Sequence, residues 1–184
     1  QHVRTGVLGA SRAIGPWTTG SDFGTARADA FTRAVVSLRG LLALPAHEAR
    51  YYNAAVDSAN EPLDGRCRYR VSGGAIPAKW WSLTLYDHPG YLVANQANRF
   101  SVNSAAVPNP AAWDVIVAPA EQAGLWLPTG RIDRFELLEL GHRDLRDAYR
   151  RSEVVHEDER HVIALAGRPR VGPLDHGRRG LRIV

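Results

Sequence analysis

Along residues 79–103 the chain alternates with a period of two. Trp81, Leu83 and Leu85 fall on one side, and Trp80, Ser82, Thr84 and Tyr86 on the other. An apolar face opposite a face of aromatic and hydroxyl-bearing residues predicts a pleated strand with one side buried. Asp87-His88-Pro89-Gly90 then supplies turn chemistry, because proline fixes its own φ and glycine tolerates positive φ; Tyr91-Leu92-Val93 resumes an extended pattern. A hairpin is expected.

A second period, of three to four, runs through Ala28, Phe31, Ala34/Val35, Leu38 and Leu41/Leu42 and predicts a helix over 25–43. Thr25 is its expected cap, Asp29 lies in its early turns, Gly40 and Pro45 close it, and Arg27, Arg33 and Arg39 form its solvated side. Glu48 to Asp57 reads as extended, with Tyr51 and Asn53 on one face and Tyr52, Ala54 and Val56 on the other. After a turn at 60–65, Arg66 to Val71 alternates strictly, placing Arg66, Arg68 and Arg70 opposite Cys67, Tyr69 and Val71. Asp57, Glu61 and Asp64 are the local carboxylates for that arginine face. Val107-Pro-Asn-Pro110 breaks the chain. Short strands are expected at Trp113–Val117 and Trp126–Pro128, and a last core strand near Phe135, Leu137 and Leu140.

The ends have neither period. Residues 1–24 read as an extended N-terminal arm whose apolar anchors, Ile14 and Trp17, would pack on a neighbouring chain. Residues 25–140 hold the helix and the strands. Residues 141–184 read as a charged helix and then a tail rich in Gly, Pro and Arg, with Arg168, Arg170, Arg178 and Arg179 available to an acidic partner.

Composition sharpens this in a few places. At 184 residues, with 45% hydrophobic and 23% charged, the chain is an ordinary globular protein of one-domain size. No run of about eighteen apolar residues exists to span a bilayer as a helix. The sequence contains no methionine, so a removed N-terminal signal or anchor is expected. The net charge of +4 comes from late arginines without interleaved aromatic rings, which does not fit a nucleic-acid surface. A lone cysteine, Cys67, precludes an intramolecular disulfide.

Candidate chemistry is sparse. His156 and His161 are five residues apart, about 500° around a helix, so their rings would diverge by about 140° and could not share a metal. No metal and no cofactor are expected. There is no Gly-x-Ser-x-Gly, and Cys67 has no histidine close in sequence. Asp57 with Glu61 could do acid–base work only if burial raised one of them. The remaining cluster is Trp80, Tyr86, Asp87, Tyr91, Asn95, Asn98, Arg99 and Trp126, in which aromatic platforms beside Asn, Asp and Arg could hold a sugar or another small polar ligand. The same residues could instead tie a loop to the backbone and fill the core.

Trp-Trp-Ser-Leu-Thr-Leu-Tyr-Asp, Pro-Gly-Tyr-Leu-Val-Ala-Asn, Ala-Asn-Arg-Phe-Ser-Val and Gly124-Leu-Trp126-Leu-Pro128, in this order, resemble bacterial proteins carrying the domain of unknown function 1214, often found alongside domain 1254. The resemblance covers roughly Asp57 to Leu140 and departs from the family pattern beyond it. It implies a mainly β, jelly-roll-like sandwich in exported, typically periplasmic proteins, and implies no activity. With the helix and the arms, the expected fold is such a sandwich carrying one N-terminal-side helix and extended arms at both termini. The expected function is a non-catalytic accessory or assembly subunit, binding a partner protein or itself within a membrane-anchored assembly. The alternatives are binding of a carbohydrate or small polar ligand, and a hydrolase with a convergent site.

Overall fold

The structure, a computed structural model, describes residues 11–20, 22–39, 44–143 and 152–156. Its strands lie in two sheets. In chain order the elements are β1 (Ser11–Ile14), β2 (Trp17–Gly20), α1 (Ala30–Arg39), β3 (Ala49–Ala54), β4 (Tyr69–Gly74), β5 (Ala78–Asp87), β6 (Ser101–Asn103), β7 (Ala112–Ala118), β8 (Trp126–Pro128), β9 (Phe135–Arg143) and β10 (Ser152–His156). One sheet runs β1-β2-β3-β9-β5-β6 and the other β10-β4-β7-β8, so the chain is mainly β with one helix among the described residues.

The two sheets share one core, which makes a sandwich. Trp81, Leu83 and Leu85 of β5 point inward as their period requires, at 3%, 0% and 3% exposure. They meet Tyr69, Val71, Trp113, Val115, Val117 and Leu127 of the opposite sheet, and the Trp81 and Trp113 rings lie 4.7 Å apart. The strand after the Asp87–Gly90 turn is shorter than the pattern predicts. Tyr86 and Leu92 form a single bridge, and β5 takes its edge partner later, with Leu83 opposite Val102. Likewise β4 begins at Tyr69, because Cys67 donates its N–H to the Asp64 carbonyl in a turn that precedes the strand.

The N-terminal arm requires correction over its described part. Ser11–Ile14 and Trp17–Gly20 form a tight hairpin, turning at Gly15 with the positive φ of 57° that two-residue connections demand. β2 then joins the large sheet, Trp17 opposite Ala54, and Thr19 Oγ1 donates to the Tyr51 carbonyl at 2.8 Å. Trp17 is 2% exposed in this chain's own core and Ile14 packs against the same core, so Trp17 has no surface left for a neighbouring chain. Strands of four residues are too short to declare a period, and the partner that completes them is more than thirty residues away in β3.

The helix also starts later than expected, at Ala30, while Gly40, Leu41 and Leu42 of the expected helix lie outside the described residues. It begins after Asp29, whose Oδ1 accepts the Thr32 N–H at 2.7 Å; that bond, with the Thr32 hydroxyl, holds the carboxyl below its ordinary value. Thr25 closes a preceding turn instead, its hydroxyl donating to the Asp22 carbonyl. Val35, with Phe31 and Val36, packs on Phe23, and Phe23 meets the ring of Tyr51 edge-on at 6.1 Å. The outer face of β3 is thereby covered, so Ala49 and Tyr51 are buried on that side as Tyr52 and Ala54 are on the other.

Two expectations about the C-terminal region fall differently. Ser152–His156, read as part of a charged helix, is a strand paired antiparallel with β4. Residues 144–151 and 157–184, with Arg168, Arg170, Arg178 and Arg179 and the His161 partner of His156, lie outside the described residues, as do residues 1–10.

Candidate functional site

The loops at one end of the sandwich bring together most of the polar residues singled out above. Register defines this end: Asp87 of β5 lies opposite Phe135 of β9, and the Phe135 ring meets Tyr69, the first residue of β4, at 5.7 Å. The loops 55–68, 87–100 and 129–134 converge there. Leu63 accepts the Phe135 N–H, Gly65 donates its N–H to the Ile132 carbonyl, and the fully buried Thr129 donates its hydroxyl to the Gly65 carbonyl.

Asp87 organises the β5 turn. Its Oδ1 accepts the N–H groups of Gly90 at 2.9 Å and Tyr91 at 2.6 Å, and Gly90 takes φ 98°. The next anchor is Val93, whose side chain is buried; a Cβ on Gly130 would approach its Cγ1 to 2.7 Å. Gly130 also has φ 62°, so two independent constraints require glycine there. Asn95 then braces the loop with both ends of its amide. Nδ2 donates to the carbonyls of Val93 and Arg99 at 3.0 and 2.9 Å, and Oδ1 accepts the Arg99 N–H at 3.0 Å. Asn98 sits between them in the left-handed region, φ 48°, a conformation asparagine accepts more readily than most residues.

Arg99 crosses from one sheet to the other. Its Nη1 donates to the Trp126 carbonyl at 3.1 Å and its guanidinium lies 5.6 Å from the centre of the Trp126 ring. Trp126 is 7% exposed, packs with Ile116 and Ala118, and donates its indole N–H to the Ala118 carbonyl. This stack holds β6 and β8 beside each other at the edge of the sandwich.

The remaining members of the predicted cluster are dispersed. Trp80 shares the outer face of β5 with Tyr86 but stands six residues away, about 20 Å at strand spacing. Tyr86 packs with Tyr51, Leu138 and Leu140, and burial pushes its phenol above the usual value. Tyr91 and Leu92, at the crest of the loop, project outward at 72% and 49% exposure. Leu92 is a residue that the sequence pattern had treated only as strand.

The carboxylates have local structural roles. Asp57 is buried, and its Oδ1 accepts the N–H groups of Ala59 and Glu61 at 2.8 and 3.0 Å, so it shapes its turn. Arg66 pairs with Asp64 at 2.6 Å, which brings the Asp64 carboxyl down to about 2, and Arg68 donates to Gln122. Among the described residues no three His, Cys, Asp or Glu side chains are grouped so as to hold a metal.

A family model described as protein of unknown function, DUF1214, matches residues 48–139, half of the chain. The chain belongs to this family. The match includes β3 to β8, most of β9, and the entire Asp87–Trp126 loop system. Among solved structures, the chain is similar to the VPA0106 protein from Vibrio parahaemolyticus, with 21% identity and a TM-score of 0.56 over 72% of this chain and 36% of that one. It is also similar to an uncharacterised protein from Burkholderia cenocepacia, with 19% identity and a TM-score of 0.47 over 59% of this chain and 30% of that one. The chain therefore spans about a third of the length of these relatives. A comparison with curated proteins finds no match.

Proposed function

We propose that this DUF1214 chain is a non-catalytic accessory or assembly module, exported to the periplasm, that binds a partner protein or a second copy of itself through the loop end carrying Tyr91 and Leu92. One observation carries the reading: two adjacent large apolar side chains stand 72% and 49% exposed on a loop otherwise tied down at every turn. Asp87 holds the N–H groups of Gly90 and of Tyr91 itself, Val93 is anchored in the core behind them, and Asn95 closes the loop beyond. A rigid loop gives up little conformational freedom on association, and covering each side chain would contribute roughly 1.5–3 kcal/mol. Aromatic anchors of this kind are what protein interfaces use at their centres. The ligand-binding reading lacks comparable support, since Arg99, Asn95 and Trp126 are committed to one another and to the backbone.

The test places a photoreactive phenylalanine analogue at position 91 and, as a control, at the exposed position 79 on the far end of β5, in the protein expressed in its own cells. A discrete adduct at 91 that is absent at 79, and that a Leu92→Ser substitution abolishes, is the expected result. Equal, diffuse crosslinking at both positions, together with a monodisperse monomer in sedimentation, would overturn the proposal. Fractionation of the same cells tests the location, with recovery in the periplasmic fraction expected.

A further inference from the structure

We draw no further inference here: the strongest candidate, the exposed apolar crest of the loop after β5 at Tyr91 and Leu92, already carries the proposed function, and nothing in the structure shows which surface covers it.

Discussion

Single side chains at the loop end act mostly by satisfying backbone groups, and this gives them distinct, measurable signatures. Asp64 keeps its proton only in strong acid because Arg66 forms a side-chain hydrogen bond to it and its own N–H adds a second. The folded value lies below the unfolded one of about 3.9, so the pair stabilises the fold above that pH, and the contribution is lost as pH falls through about 2. The carboxyl resonance of Asp64 is expected to titrate near 2 and to move up in Arg66→Ala, with little change in the melting temperature at neutral pH, since Arg66 is largely exposed. Gly130 should respond in the opposite way. Gly130→Ala adds a Cβ against Val93 and strains a φ of 62°, so a loss of more than about 1 kcal/mol is expected in urea unfolding. A neutral result would mean the 93–99 loop moves away without cost.

Among the elements, the N-terminal hairpin and the helix have the most to decide. Because β2 is paired to β3 and Trp17 is buried in the shared core, Trp17→Ala is expected to destabilise the isolated monomer by about 3–5 kcal/mol. Were residues 11–20 an arm resting on another chain, the monomer would lose nothing. Trp81→Ala should cost a similar ~3–5 kcal/mol and also remove the far-ultraviolet circular-dichroism couplet expected from Trp81 and Trp113 in contact. Asp29→Ala removes the helix cap and should cost about 1 kcal/mol. β9 shows how a strand's phase can override its own pattern. Leu138 points outward while Glu139, opposite Tyr52 and Leu83, is fully buried; Phe135 and Leu137 on the inner face set the phase that carries it there. A one-residue slip would expose both of those and turn every β9 side chain over.

At the level of the whole molecule, the stack of Arg99 on Trp126 ties one sheet to the other along an edge. Arg99→Ala is expected to cost about 1–2 kcal/mol, to alter tryptophan fluorescence, and to speed amide exchange over 93–99. Arg99→Lys should rescue only part of this, because an ammonium lacks the planar fork that both stacks and donates. If the loop presents Tyr91 and Leu92 to a partner, both variants should also weaken the position-91 adduct, because they release the loop from Trp126. The fold recurs over about a third of a longer Vibrio parahaemolyticus chain.

Local sequence determined the elements whose burial is one-sided. The alternation of β4 and β5 reports which side chains leave water, and Asp87-His88-Pro89-Gly90 encodes its turn in its own φ preferences and one carboxylate. The family-specific order of the tryptophan, Asn-Arg and Gly-Leu-Trp segments was equally legible, because it rests on residue identity alone. Tertiary structure decided everything that depends on long-range pairing. Trp17 is a core residue only because β3 lies beside it, and Glu139 is buried only because its neighbours set the phase of β9. The proposed ligand cluster also needed three dimensions. A period of two says that Trp80 and Tyr86 share a face, but their separation, the stacking of Arg99 on Trp126 and the outward crest of Tyr91 and Leu92 follow from where the loops meet. Contacts between residues distant in sequence leave no local periodicity, so the fold alone distinguishes a bracing side chain from an available one.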